Sequence, residues 1–147
     1  MYDKALQSAT RMLASREHSV LELTRKLQQK DFPPEIVDRV VTGLLDGRLL
    51  SDTRFAETYV RMRSARGYGP LRIRMELRER GIDDATIRQY LDTDEVDWYA
   101  LAEEVRQRKF GDAAPVEYAQ KAKQMRFLQY RGFSNSHISV AVKGLDD

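Results

Sequence analysis

Apolar residues recur along this chain at the spacing of three and four positions that is typical of amphipathic helices. The first stripe consists of Ala5, Leu6, Ala9 and Leu13. Two later stripes of the same kind contain Phe55, Ala56, Tyr59, Met62 and Trp98, Leu101, Ala102, Val105. No stretch alternates between apolar and polar residues for long enough to indicate a β-strand. The pattern therefore predicts an all-α protein.

Each of these predicted helices is followed by a motif that occurs three times. LQQKDFPPEIV begins at Leu27, LRERGIDDATI begins at Leu77 and LQYRGFSNSHI begins at Leu128. Each copy has leucine, a basic residue three positions later, Asp or Gly, then Phe or Ile, and a further apolar residue five positions after that. The copies start 50 and 51 residues apart. A repeat of this period indicates tandem helical units.

Local end signals predict three helices in each unit. Ser19 and Glu22 have the capping-box spacing at the start of a second helix. Pro70 and Gly81 predict the start and the end of the equivalent helix in the second unit. Asp31 stands where the other two copies have glycine, and aspartate tolerates the left-handed conformation at some cost. The third helices are expected to begin near Pro34, Asp84 and Ser136, and Gly47 and Gly144 are expected to end the first and last of them.

These units define the expected domain organisation. We predict helical repeats at 1–50, 51–95 and 96–147, with connections at 92–97 and 111–115. A small helical triplet buries little apolar surface alone, but stacking lets each triplet cover its neighbour. The fold class expected is therefore all-α, with three tandem three-helix repeats stacked into an elongated, curved molecule.

Composition excludes several protein classes. The chain has 41% hydrophobic residues, 33% charged residues and no cysteine. Its longest apolar runs are too short to span a bilayer, and its start lacks the pattern of a secretory signal. The absence of cysteine excludes disulfides and thiolate chemistry. We therefore expect a cytoplasmic protein that has no contact with membranes.

The formal net charge is only +2, but the charges are segregated along the chain. Residues 61–80 contain seven arginines, and residues 106–131 form a second basic stretch. Solvation of helix faces is one interpretation, and a polyanionic partner is the other. We favour the partner for the clusters. The candidate partner-binding or DNA-binding residues are Arg61, Arg63, Arg66, Arg72, Arg74, Arg78, Arg80, Lys121, Lys123, Arg126 and Arg131.

Two of these arginines are the strongest candidates. On the predicted helix 70–80, Ile73 and Leu77 form the buried stripe, and Arg74 and Arg78 lie next to it. Neither arginine has a carboxylate four positions away, whereas Arg72 and Arg80 both have Glu76 at that distance. Arg74 and Arg78 are therefore expected to bind an external anion.

No catalytic or metal site can be assembled from the sequence. The two histidines, His18 and His137, lie beside serines in predicted polar turns, where we expect them to be solvated. No nucleophile and base share a recognisable pattern, and no phosphate loop occurs.

Asp92, Asp94 and Glu103 have calcium-loop spacing. Val96 and Asp97 stand where an oxygen ligand and the turn glycine belong, so we favour a solvated linker. We predict no catalytic residues, no metal, no cofactor and no enzyme activity.

Four tyrosines lie near basic residues, namely Tyr68, Tyr99, Tyr118 and Tyr130. Such tyrosines stack on nucleobases in some proteins and pack against helices in others. We favour packing for each of them.

Several motifs together resemble the RecX family of bacterial recombination regulators. They are DTRFA from Asp52, YVRMR from Tyr59, GYGPLRI from Gly67, EL from Glu76, RGI from Arg80 and RGF from Arg131. The resemblance implies a non-enzymatic modulator with three helical repeats that binds in the groove of the RecA filament on single-stranded DNA. It also implies inhibition of the recombinase, ATPase and co-protease activities of RecA. We expect a monomer, and direct contact with DNA is a further expectation.

Two other function classes stay open. Three-helix units are similar to helix-turn-helix domains, so a free-standing DNA-binding module is the first alternative. The predicted helix 70–80 starts with Gly-Pro-Leu, which suits phosphate contacts better than base contacts. A helical scaffold for another protein is the second alternative.

Overall fold

The computed structural model describes residues 1–143 and folds them into α-helices joined by short connections. The helices are α1 (Tyr2–Ser15), α2 (Val20–Gln29), α3 (Pro34–Asp46), α4 (Asp52–Ala65), α5 (Pro70–Glu79), α6 (Asp84–Leu91), α7 (Trp98–Phe110), α8 (Tyr118–Arg131) and α9 (Asn135–Lys143). Residues 1–143 contain no β-strand. The predicted all-α class with three helices in each of three repeats is confirmed.

The repeated motif forms the same turn at the ends of α2, α5 and α8. Leu27, Leu77 and Leu128 are each fully buried. In each copy the Phe or Ile five positions after the leucine donates its amide hydrogen to the leucine carbonyl. The distances are 3.4 Å for Phe32, 3.1 Å for Ile82 and 3.1 Å for Phe133. This bond closes a helix C-terminus when the intervening residue is left-handed. The common environment of the three leucines supports the repeat assignment.

The residue before that apolar position takes the left-handed conformation in every copy. Its φ angle is +67° at Asp31, +79° at Gly81 and +97° at Gly132. Aspartate in the first copy is therefore accommodated in the turn that glycine forms in the other two.

Most of the predicted helix ends are also confirmed. The Ser19 side chain accepts from the Glu22 amide at 3.1 Å, and the Glu22 carboxylate accepts from the Ser19 amide at 3.1 Å. The third helices begin at Pro34, Asp84 and Asn135, the last being one residue before the predicted start. Gly47 follows α3 as its C-cap, whereas Gly144 lies outside the described residues.

Tertiary contacts divide the described chain into two compact units. The first unit contains Met1–Tyr59 and Leu77–Tyr90, and the second contains Val60–Glu76 and the described chain from Leu91 onwards. In the first unit α1, α2 and α3 pack on one another around a core of Ala5, Ala9, Leu23, Leu27, Val37, Val40, Val41, Leu44 and Leu50. In the second unit α7, α8 and α9 enclose Ala102, Val105, Leu128, Phe133, Ile138, Ala141 and Val142. The exact repeat boundaries and the elongated, curved shape stay predictions.

The solvated position expected for His18 is wrong. Its side chain is only 2% exposed. Lys26 Nζ lies 2.9 Å from Nε2 and can only donate, so Nε2 accepts and Nδ1 carries the proton. Nδ1 then donates to the carbonyl of Arg16 at 3.0 Å. His137, in contrast, is half-buried.

Acidification is expected to destabilise the protein through His18. Burial of the ring is the main reason why the His18 pKa is lowered from 6.5; the charges of Arg16 and Lys26 lower it too, while the Arg16 carbonyl and Glu22 oppose them. Below pH 6.5 the unfolded chain therefore binds more protons than the folded chain. The free energy of unfolding should fall as the pH drops from 6.5 towards the lowered pKa.

Urea unfolding of the wild type and of His18→Gln across this pH range measures the effect. The glutamine side chain does not titrate but retains an acceptor for Lys26, so the variant should lose less stability on acidification. The pKa of His137 is also lowered, mainly by burial, and its contribution is the same in both proteins. An identical pH dependence in the two proteins would contradict the assignment to His18.

Candidate partner-binding surface

The guanidinium groups of three predicted site residues surround one tyrosine in the second unit. The guanidinium of Arg63 lies 3.8 Å from the centre of the Tyr68 ring, and those of Arg72 and Arg131 lie at 4.7 and 4.8 Å. Arg131 Nη1 also donates to the carbonyl of Arg66 at 3.1 Å. We call these five residues the arginine–tyrosine cluster. Tyr68 holds the guanidinium groups by cation–π contact, so its ring is already occupied by the protein's own arginines.

The carboxylate of Glu76 binds two arginines of this cluster. Arg63 binds it with two hydrogen bonds, of 3.0 and 2.9 Å, and Arg72 adds a third at 3.2 Å. The Glu76 side chain is 12% exposed and that of Arg63 is 15% exposed. The bond to Glu76 is the main reason why the pKa of Arg72 is raised. The interpretation of Arg63 and Arg72 as surface cations is therefore incomplete, because both also stabilise the fold.

The backbone holds the same region together. The amide of Gly69 donates to the carbonyl of Arg131 at 2.7 Å, and the amide of Leu71 donates to the carbonyl of Gly132 at 2.9 Å. A Cβ atom on Gly69 would lie 2.5 Å from the Gly132 carbonyl, so only glycine permits this approach. Arg72 Nη1 adds a bond of 3.2 Å to the carbonyl of Tyr130. The start of α5 is thus fixed against the end of α8.

Arg74 and Arg78 have no carboxylate partner at the four-residue spacing of their own helix, but each pairs with an aspartate outside that helix. Arg74 forms a salt bridge with Asp92, and Arg78 pairs with Asp84 at 3.2 Å. These aspartates are 18 and 6 residues away in sequence, outside the four-residue spacing that helix periodicity can detect. Arg80 lies 3.8 Å from Glu22 and over the Tyr59 ring at 5.0 Å. Both of these contacts belong to the first unit.

The remaining candidates lie mainly on exposed helix surface. Lys123, Arg126 and Tyr130 occupy one exposed face of α8, at the spacing of three and four residues. Arg61 is exposed on α4, whereas Lys121 is half-buried. Lys123, Arg126 and Arg61 are therefore accessible to a polyanion.

The four tyrosines and the residues of the second basic stretch differ in how far they are buried. The packed position favoured for the tyrosines is wrong for Tyr118 and Tyr130, which are 85% and 73% exposed, and Tyr99 is also exposed. Arg72 covers the Tyr130 ring at 5.2 Å. Arg106 of the second basic stretch is fully buried, where Nη1 donates to the carbonyl of Gly111 at 3.4 Å.

Arg108 and Lys109 belong to the second basic stretch but are not among the predicted site residues. Both line a cavity in the second unit with Arg66, Val105, Phe127 and Arg131. Both lie in the last turn of α7, three and four residues after Val105, and this spacing was the signal in the sequence that could have placed them on the same side of the helix as Val105. Nothing in the local sequence connects that helix end with Arg66.

The part of the chain described here contains no group of three or more metal-ligating side chains that could hold a metal ion. None of the helices within residues 1–143 is both long enough and apolar enough to cross a bilayer.

Comparison with known proteins accounts for almost all of the chain. Residues 5–44, 51–91 and 95–142 match the models of the first, second and third three-helix domains of RecX. These matches contain the three copies of the repeated motif and the whole arginine–tyrosine cluster.

Individual relatives agree with these matches. Regulatory protein RecX of Pseudomonas entomophila (strain L48) is 46% identical over 140 residues, which cover 95% of this chain and 90% of that protein. Regulatory protein RecX of Halorhodospira halophila (strain DSM 244 / SL1) is 42% identical, with 95% and 87% covered.

Solved structures show the same fold. A crystal structure of regulatory protein RecX superposes with a TM-score of 0.81 at 27% identity, covering 97% of this chain and 73% of that one. RecX from Lactobacillus salivarius superposes with a TM-score of 0.76 at 27% identity, covering 99% and 96%. The relatives are named as regulatory proteins. With its three repeats, its shared turns and these similarities, the chain belongs to the RecX family of regulatory proteins.

Proposed function

We propose that this protein is a negative modulator of the RecA recombinase. It binds in the groove of the RecA filament on single-stranded DNA and inhibits the recombinase, ATPase and co-protease activities. It acts stoichiometrically as a cytoplasmic monomer and catalyses no reaction of its own. Family membership supports the regulatory role, and the basic surface supports a partner that carries many negative charges.

The observation that carries this proposal is the arginine–tyrosine cluster. Glu76, the Tyr68 ring and the carbonyls of Arg66 and Tyr130 hold the guanidinium groups of Arg63, Arg72 and Arg131 in place before any partner arrives. Binding an anion to fixed arginines costs less side-chain entropy than binding it to mobile ones. The cluster therefore gives the basic surface a rigid base on which a regulator can recognise a polyanionic assembly.

Charge reversal on α5 tests the contact with RecA. Arg74→Glu with Arg78→Glu should weaken inhibition of the RecA ATPase at least about tenfold, equivalent to ~1.4 kcal/mol of binding energy. The reason is repulsion from the anionic groove in place of attraction. The two salt bridges that are lost are partly exposed, and such pairs contribute only tenths of a kcal/mol to stability.

Arg11→Glu with Arg25→Glu is the matched control. Both residues are exposed in the first repeat, outside the two basic stretches, and the two double variants change the net charge equally. The control should inhibit RecA like the wild type. If both double variants melt like the wild type but inhibit RecA equally, α5 is not part of the contact.

A free-standing DNA-binding module is the alternative function, favoured by the exposed Lys123, Arg126 and Tyr130 on α8. Aromatic and basic side chains on one face can contact bases and phosphates of a single strand. Co-sedimentation with RecA, with single-stranded DNA and with both together distinguishes the two functions. A RecA regulator sediments with the filament far more than with bare DNA. A DNA-binding module sediments equally with the filament and with bare DNA.

A further inference from the structure

The second unit contains a cavity of about 190 Å³ whose lining is mainly basic. It is lined by Arg66, Val105, Arg108, Lys109, Phe127 and Arg131. Val105 and Phe127 are the only apolar members of this lining. A cavity of this size has room for roughly six water molecules. It therefore suits a small hydrated group rather than an apolar ligand.

Positive charge at the cavity exceeds what the neighbouring helix ends require. Arg66, Arg108 and Arg131 lie in or next to the last turns of α4, α7 and α8, where cations favourably offset about half a negative charge per helix. The cavity lining contains four cations. The three helix ends and the carboxylate of Glu104, which pairs with Arg108, offset part of this charge, and a surplus of about 1.5 positive charges remains. Among residues 1–143, neither Arg66 nor Lys109 forms a salt bridge.

Aromatic and backbone contacts hold two of the cations towards the cavity. Lys109 Nζ lies 5.6 Å from the centre of the Phe127 ring, and the guanidinium of Arg131 lies 5.3 Å from it. The Phe110 ring packs at right angles to the Phe127 ring, with the two ring centres 5.5 Å apart. Because Arg131 also donates to the Arg66 carbonyl at 3.1 Å, its position is fixed without a ligand. The cations are thus close together although they repel one another.

We propose that this cavity binds a phosphate group. Arginine guanidinium groups present paired donors that match phosphate oxygens, and a lysine ammonium adds a point charge. A surplus of more than one positive charge favours a phosphate with high charge density over a single carboxylate. The phosphate comes either from the backbone of a nucleic acid or from a free polyphosphate such as a nucleoside triphosphate. This site is a binding site of the purified chain and does not require RecA.

Removal of two cavity cations tests the proposal. Arg108→Gln with Lys109→Gln, the cavity variant, is compared with Arg11→Gln plus Arg25→Gln, the outside variant, which removes the same charge from exposed positions outside the cavity and outside both basic stretches. The probes are inorganic triphosphate, titrated by calorimetry, and a fluorescent oligothymidylate of roughly 15 nucleotides, titrated by anisotropy. Thermal melting of each variant shows whether the fold is intact.

The cavity variant should bind at least one probe tenfold or more weakly than wild type, and the outside variant should bind that probe at least threefold more tightly than the cavity variant. If the oligonucleotide is that probe, the slope of its log affinity against log salt should fall by roughly 1.4, since two phosphate contacts are lost. Loss of both probes identifies a general phosphate site, and loss of the oligonucleotide alone identifies the nucleic-acid backbone as the source. Loss of triphosphate alone identifies a free polyphosphate.

Two results would overturn the proposal. One is a folded cavity variant that binds both probes like the wild type, and the other is an equal loss in both double variants. If Arg108→Gln with Lys109→Gln melts early, Arg66→Gln replaces it, because Arg66 is an exposed side chain of the same cavity. The RecA assays are independent of these: phosphate binding without RecA inhibition would contradict only the proposed function, and the reverse result would contradict only the phosphate site.

Discussion

Gly132→Ala is expected to destabilise the protein by about 2 kcal/mol more than Gly111→Ala, because it breaks at least two backbone hydrogen bonds of about 1 kcal/mol each. A Cβ on Gly132 would lie 2.3 Å from the Arg72 Cβ and 2.7 Å from the Arg72 amide nitrogen. The start of α5 would have to move away from the end of α8. That movement breaks the bonds that the Gly69 and Leu71 amides donate.

Conformational strain alone does not explain the expected difference. Asp31 occupies the equivalent turn of the first repeat with φ +67°, so a side chain can adopt this backbone conformation. Gly111 has φ +86° and ψ 175°, a region that only glycine adopts readily, yet its added Cβ would meet nothing within 4 Å. Gly111→Ala is therefore a control that carries at least as much backbone strain without the collision.

Urea unfolding of the two variants measures this difference directly. Gly132→Ala should also lose RecA inhibition, since the arginine–tyrosine cluster lies at the same junction. Equal free energies of unfolding for the two variants would mean that α5 and α8 can separate without cost. The close backbone contact would then contribute nothing to stability.

Glu76→Gln is expected to lower the free energy of unfolding by about 3 kcal/mol. This value is at the lower end of the losses found when one partner of a buried ion pair is removed. The carboxylate accepts two hydrogen bonds from Arg63 and one from Arg72. Glutamine has a similar shape but no charge, and its amide group would face a guanidinium donor. Two cations would then lie close together without their shared carboxylate.

Glu104→Gln provides the matched control. Glu104 also pairs with an arginine, Arg108, but these two side chains are 54% and 68% exposed. Exposed pairs of this kind contribute about 0.3–0.5 kcal/mol. Both variants should be measured by urea unfolding at neutral pH. A loss of less than about 1 kcal/mol for Glu76→Gln would show that Glu76 acts as an ordinary surface carboxylate.

The sequence by itself determined the helices, the three repeats and the turns that end α2, α5 and α8. These features depend on neighbours within about five residues, because helix periodicity, capping boxes and left-handed turns are local. Leu27, Leu77 and Leu128 were therefore placed in equivalent positions before any tertiary contact was known. The motifs around Tyr59 and Gly67 are also short runs of neighbouring residues, so they indicated the RecX family without knowledge of the tertiary structure.

Only the tertiary structure decided what the charged residues contact. Arg63 meets Glu76 across 13 residues, Arg74 meets Asp92 across 18, and Arg131 meets the Arg66 carbonyl across 65. Local spacing cannot detect such pairs, so the two arginines of α5 that helix periodicity leaves unpartnered have partners from other segments. The burial of His18 has the same explanation, because its environment depends on how helices pack and not on the polar residues beside it in sequence.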